Sequence, residues 1–144
     1  MSEIKKQSCL VGSYNEVQVE LRCLEFGWQV FRPTRQDGEI DLLFITPDRA
    51  IHGLQIRTAN YANRGPHGGR KRLGVNLTRW NGEKYSPAVT HVIAVHGPRM
   101  WIFPAEECTG IKKLFRPIGS DREGAWHLIG PTLNEHRVGM ATAR

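Results

Sequence analysis

No stretch of the 144-residue chain approaches the roughly 20 consecutive apolar residues that a membrane-spanning helix requires. The first residues also lack the apolar segment of a secretory signal, so an intracellular protein, cytoplasmic or nucleoid-associated, is expected. Cysteine is scarce: Cys9, Cys23 and Cys108 are odd in number, widely spaced and form no Cys-x-x-Cys pair. That pattern argues against both a disulfide framework and a structural zinc site, and Cys23 reads as core. Internal repeats are absent, as is any linker long enough to divide the chain, so residues 1–144 are expected to form one domain. The histidines show no second-ligand spacing. His91 and His96 read as surface or turn residues and His52 as a neighbour of a turn.

What the chain does have is positive charge, and its placement says more than its total of +6. Arg57, Arg64, Arg70, Lys71, Arg72, Arg79 and Lys84 stand against a single acid, Glu83, so this stretch alone matches the net charge of the whole chain. Gly65, Pro66, Gly68 and Gly69 mark it as an irregular loop. A basic loop suits a polyanion, because each phosphate neutralised by Lys or Arg releases condensed counterions. Tyr61, His67 and Trp80 are available to stack on sugar or base. A merely solvated loop, or one that meets membrane phosphates, has the same composition.

Just upstream lie two short runs with strand periodicity, Gly38-Glu39-Ile40-Asp41-Leu42-Leu43-Phe44 and Gly53-Leu54-Gln55-Ile56-Arg57-Thr58-Ala59. Alternate residues of a strand share a face. Glu39 and Asp41 therefore share one face and Gln55 and Arg57 another, while Ile40, Leu42, Leu54 and Ile56 point into apolar core. The connection through Pro47-Asp48 to Gly53 carries turn chemistry and predicts a hairpin that sets Asp41 beside Gln55 and Arg57. Such hairpins also occur in soluble proteins that have no site. Before them, Tyr14, Val17, Leu21 and Leu24 recur at helical spacing, and Gly27 stops the helix. This helix carries Glu16 and, one turn on and on the same side, Glu20.

From Gly12 to Thr58 this order resembles the PD-(D/E)XK nuclease superfamily, in which a Glu-bearing helix ends at a Gly, a first strand leads to a Pro, and an Asp strand pairs with an (E/Q)-x-K strand. Glu16 matches the helix glutamate, Asp41 the metal-binding aspartate, Gln55 the variable acid or amide position and Arg57 the lysine. The Arg is the departure. A weaker similarity to the small homing or resolvase-like members continues through Leu73–Leu77, Tyr85, His91–Val95 and Met100–Pro104, where a strand ends in a Pro followed by a short helix. The resemblance implies a restriction-endonuclease-like α/β core with a mixed central β-sheet flanked by helices. It also implies Glu16, Asp41, Gln55 and Arg57 as catalytic residues.

The chemistry implied is metal-dependent hydrolysis of phosphodiester bonds in double-stranded DNA, with Mg²⁺ as cofactor and Mn²⁺ as substitute. Hard cations prefer oxygen ligands and keep several waters, so Asp41, the Gln55 side-chain oxygen, the Ile56 backbone carbonyl and Glu16, directly or through water, would be a sufficient protein share. Arg57 cannot act as a base at neutral pH, but it can stabilise developing phosphate charge. Arg64, Arg70, Lys71, Arg72, Arg79 and Lys84 are the expected nucleic-acid contacts. A chain this small embraces only part of a duplex site, so a homo-dimer or higher oligomer is expected. The Gln-x-Arg pair equally fits a decayed site kept for binding DNA or RNA without cleavage.

Elsewhere the patterns predict a helix over 13–26, strands over 29–32, 41–45, 53–58, 74–77, 89–95 and 100–103, and a short helix over 105–114. The tail, with His127, His136 and Arg137, shows no periodicity.

Overall fold

A computed structural model describes residues 2–34, 38–64, 69–77 and 85–142. Helix α1 (Glu3–Glu25) leads into β1 (Gln29–Phe31), β2 (Leu42–Ile45), the long β3 (Ile51–Arg64), β4 (Gly69–Asn76), β5 (His91–His96) and β6 (Arg99–Pro104). A single-turn helix α2 (Ala105–Cys108), β7 (Lys113–Pro117), a 3-10 turn at Trp126–Leu128 and helix α3 (Leu133–Thr142) complete the described chain.

The sheet is mixed, as expected. Its path runs β1-β2-β3-β4-β7, with β5 paired to β3 and β6 to β5. The β3–β5 pair is parallel, and every other named pairing is antiparallel. Strand β3 holds the sheet together by changing partners along its length. Ile51–Leu54 pair with β2, Leu54–Thr58 with β5, and Ala59 onward with β4, with a register irregularity between Ala62 and Arg64.

Both faces of the central strands are covered, which is why β5 and β6 read as nearly continuous apolar runs rather than as an alternation. Leu54, Ile93, Val95 and Ile102 meet Val19 and Cys23 of α1 together with Trp28 and Phe44. On the opposite face Val92, Ala94, Trp101 and Phe103 pack with Ala59, Leu73, Val75 and Leu114.

Helix α1 ends as its sequence predicts. Gly27 has φ +78°, its N–H donates to Leu24 O (3.0 Å), and the Trp28 N–H donates to Cys23 O (3.0 Å). This paired closure needs a residue that tolerates a left-handed backbone. A Cβ at Gly27 would also lie 2.6 Å from Leu133 Cβ, at the start of α3. Gly53 answers a different need. Its carbonyl accepts the Thr90 N–H at 2.8 Å, and an added Cβ would sit 2.1 Å from Ala88 O, so the segment entering β5 crosses β3 in contact that only glycine permits.

Five expectations change. Residues 105–114 do not form one helix: α2 stops at Cys108, Gly110 takes φ +76°, and the chain re-enters the sheet as β7. The tail, though it carries no apolar periodicity, forms α3, capped by Thr132, whose hydroxyl accepts the Glu135 N–H at 3.1 Å. Residues 58–64 and 69–76 of the expected basic loop belong instead to β3 and β4, whose paired backbone overrides their weak local preference for strand, while 65–68 and 78–84 lie outside the described residues. His91 is buried, with Nε2 donating to Leu128 O at 3.0 Å. Finally, Tyr14, Val17, Leu21 and Leu24 do lie on a helix, but on its outer side; α1 buries Asn15, Val19 and Cys23 instead.

Candidate active site

The site forms where β2 and β3 begin to part. Asp41 immediately precedes β2, and its N–H donates to Leu54 O at 2.8 Å, the last rung before the strands separate. Its side chain turns back across the gap, and Oδ2 accepts the Ile56 N–H at 2.7 Å. A carboxylate so held has little rotational freedom.

Glu16 approaches from α1. It lines an open cleft of about 270 Å³ together with Ser13, Val17, Arg32, Pro33, Ile40 and Asp41. Glu16 senses the Asp41 charge. Burial raises the Glu16 pKa above the ordinary carboxylate range and the Asp41 charge raises it further, while Arg32 lowers it. Burial likewise raises Asp41, against the lowering effects of the Ile56 hydrogen bond and the Arg57 charge. Asp41 therefore lies electrostatically between an acid on one side and a guanidinium on the other. Two desolvated carboxylates close together favour either a proton or a cation.

Gln55 and Arg57 stand on β3 and do not line the cleft with Glu16 and Asp41. Gln55 is 6% exposed, and its Nε2 donates to Glu39 O at 3.4 Å. Its Oε1 is buried without a hydrogen-bond partner, as is Arg57 Nε. Leaving a buried amide oxygen unpaired costs on the order of 1–3 kcal/mol. An unpaired amide oxygen of this kind is chemically able to ligate a hard cation. Glu16 and Asp41 bring two carboxylates to the cleft, oxygen donors of the kind that suit Mg²⁺ or Mn²⁺, while the Gln55 amide lies on β3 outside the cleft lining. No group of three His, Cys, Asp or Glu side chains able to hold a metal occurs among the described residues. Ile56 meets Asp41 through its N–H.

The alternative acids have other employment. Glu20 is ion-paired with Arg32, and Glu39 Oε1 accepts the Ser86 N–H at 3.3 Å. Arg32 and Ser13, which line the cleft, were not expected there. The basic residue before Pro33, at the exit of β1, was the available signal for Arg32.

Of the expected nucleic-acid contacts, Arg72 lies on β4 and is partly buried. Arg64 ends β3 and Arg70 and Lys71 lie on β4, but their side chains are outside the described residues, as are Arg79, Lys84, His67 and Trp80 altogether. Tyr61 is already engaged: its ring lies 4.1 Å from that of His96, and its hydroxyl accepts from Arg99 Nη1 at 3.1 Å.

No protein-family model matches the chain, and no curated protein sequence matches it. Among solved structures the chain is similar to the bacterial homing endonuclease I-Ssp6803I, with a TM-score of 0.63 over 90% of this chain and 94% of that one. At 16% identity the likeness is one of fold, an α/β architecture in which a mixed sheet is flanked by helices.

Proposed function

We propose that this protein is a metal-dependent endonuclease of the PD-(D/E)XK type that hydrolyses phosphodiester bonds in DNA. The observation that carries the reading is the buried, unpartnered Gln55 Oε1 on the strand whose next peptide N–H fixes Asp41. The fold it shares with a homing endonuclease supports the same reading. A bound Mg²⁺ would supply Lewis acidity and a water of lowered pKa. Asp41, Gln55 and Glu16 would hold it.

The chain's own groups account for the rest. Asp41 is oriented by the Ile56 N–H, so its free oxygen is presented without a search over rotamers. Arg57 offsets part of the negative charge at Asp41 and is fit to stabilise charge that develops on a phosphate, since a guanidinium stays protonated and offers several donors. It cannot serve as a general base. Arg32 lines the cleft with Glu16 and Asp41 and adds a second cation for a phosphate entering there. Arg64, Arg70, Lys71, Arg72, Arg79 and Lys84 would carry the duplex backbone, and a symmetric dimer would cut both strands.

A second reading, a module of this fold that binds nucleic acid without cutting, is favoured by one feature, Arg57 where such nucleases carry Lys. Supercoiled plasmid, linear duplex and structured RNA incubated with Mg²⁺, Mn²⁺ or chelator decide between them. Metal-dependent nicking of plasmid supports the nuclease. Binding without nicking under every condition leaves the module.

A further inference from the structure

Helix α1 is apolar on two opposite sides, and its own fold uses one of them. Asn15, Val19 and Cys23 are buried against the sheet. On the other side Leu10, Tyr14, Val17, Leu21 and Leu24 are between 42% and 70% exposed. Their spacing is four, three, four, three, the alternation of a and d positions in a heptad pattern. An isolated exposed leucine has no meaning, but five large side chains in one seam running about 21 Å along a helix do.

The helix also outruns the body it packs on. Every described side chain from Ser2 to Leu10 is exposed, and Asn15 is the first buried residue of α1. About two helical turns whose described side chains are all exposed are marginal in water.

We infer that the seam Leu10–Tyr14–Val17–Leu21–Leu24 is a self-association surface, and that its occupant is α1 of a second copy of this chain, running antiparallel. Three features favour that occupant. A heptad seam offers knobs and holes that another helix with the same seam fills. The exposed apolar area is roughly 500 Å² per copy, so a pair would bury about the 1,000 Å² from which specific interfaces begin. Charge then selects the orientation. Parallel packing would set Glu20 of one helix against Glu25 of the other, flanking positions of like sign. Antiparallel packing instead brings the end bearing Glu3, Lys5 and Lys6 toward the end bearing Glu16, Glu20, Arg22 and Glu25, a net positive segment toward a net negative one. It also opposes the two helix dipoles favourably.

Such a pair has a two-fold axis, as isologous dimers do. Val17 belongs both to the seam and to the lining of the cleft that holds Glu16 and Asp41, so the second copy's helix would stand along the mouth of that cleft. The inference concerns assembly alone and stands apart from the proposed reaction.

The test is the mass of the full chain in solution by sedimentation equilibrium at micromolar concentration. Wild type is expected at twice the 16.3 kDa of one chain, or a larger multiple. The double variant Leu10→Gln, Leu21→Gln, which alters exposed positions, is expected at half the wild-type mass with an unchanged far-ultraviolet circular dichroism spectrum. Val138→Gln on α3, exposed but outside the seam, should leave the mass unchanged. Orientation is read in a Cys9→Ser background: oxidation should join Gln7→Cys to Leu24→Cys chains when the two variants are mixed. A monomeric wild type, or a double variant with wild-type mass, would overturn the surface. Cross-linking of Leu24→Cys only to itself would overturn the antiparallel arrangement.

Discussion

The Asp41 side chain accepts the Ile56 N–H at 2.7 Å, so a carboxylate on one side of a strand opening is fixed by the backbone of the other side. The bond links the two runs whose alternation first singled them out, and it sets the geometry on which the predictions below depend.

Asp41→Asn should abolish metal-dependent nicking while leaving duplex binding in Ca²⁺ within a few-fold of wild type. The amide oxygen can still accept from Ile56, but the anchoring charge of the proposed metal site is gone. Single-turnover nicking at saturating Mg²⁺ measures it. Wild-type rates from the Asn variant would remove Asp41 from the site.

The same substitution should have an opposite effect on stability. Burial raises the Glu16 and Asp41 pKa values in the folded protein, and the Asp41 charge raises Glu16 further. Groups raised in this way contribute stability that is complete below the unfolded carboxylate value, about 4, and is lost as pH rises through the folded values. In chelator, Asp41→Asn should therefore gain on wild type in urea denaturation as pH rises from 4 to 8. Added Mg²⁺ should raise the wild-type melting temperature and leave that of the variant unmoved.

Arg57 separates the nuclease from the binding module. In an active site that uses the guanidinium only for electrostatics, Arg57→Lys should keep or raise the cleavage rate and Arg57→Ala should lower it by roughly a hundredfold or more. In a decayed site neither variant cuts, and Arg57→Ala only weakens binding. Parallel nicking and mobility-shift assays distinguish the two.

Replacing Arg70, Lys71 and Arg72 together by Ala should weaken duplex binding on all sequences and flatten the plot of log K against log salt by about 2–3 in slope. An unchanged slope would move the nucleic acid to another face.

Gly53→Ala should destabilise the fold by about 2 kcal/mol or more, because its Cβ would lie 2.1 Å from the Ala88 carbonyl oxygen and the chain entering β5 would have to shift. Equilibrium urea denaturation gives the value. An effect below about 0.5 kcal/mol would mean that the crossing segment yields freely.

The positions of Asp41 beside β2 and of Gln55 and Arg57 on β3 were legible in the sequence because period-two alternation survives wherever one residue in two is apolar, as at Leu42, Leu54 and Ile56. The helix ending at Gly27 was legible for a similar reason. The face of that helix was not, since apolar residues on both sides leave periodicity with two equal answers, and only packing chooses Val19 and Cys23 over Leu21 and Leu24. Continuation of β3 through Asn60, Ala62 and Asn63 was hidden because its stability comes from pairing with β4, which no local pattern reports. For α3 a signal existed in Thr132-Leu133-Asn134-Glu135, a reciprocal cap in which Thr132 also donates its N–H to Glu135 Oε2 at 3.4 Å. The absence of an apolar stripe after it concealed the helix, and the structure shows why: α3 buries no side chain. For Arg32 the only signal was its place before Pro33, because its entry into the cleft depends on how β1 leaves the sheet.

Strand β3 belongs at once to the pairings with β2, β5 and β4, and this limits how the protein can change over generations. One residue inserted or deleted between Leu54 and Ala59 would turn Gln55 and Arg57 to the side now filled by Leu54 and Ile56, and would exchange the two cores in the same step. Length variation is therefore expected beyond the irregularity at Ala62 and Arg64, where the pairing already slips. Between Leu54 and Ala59, variation is expected only as substitution, which leaves the faces of the strand in place.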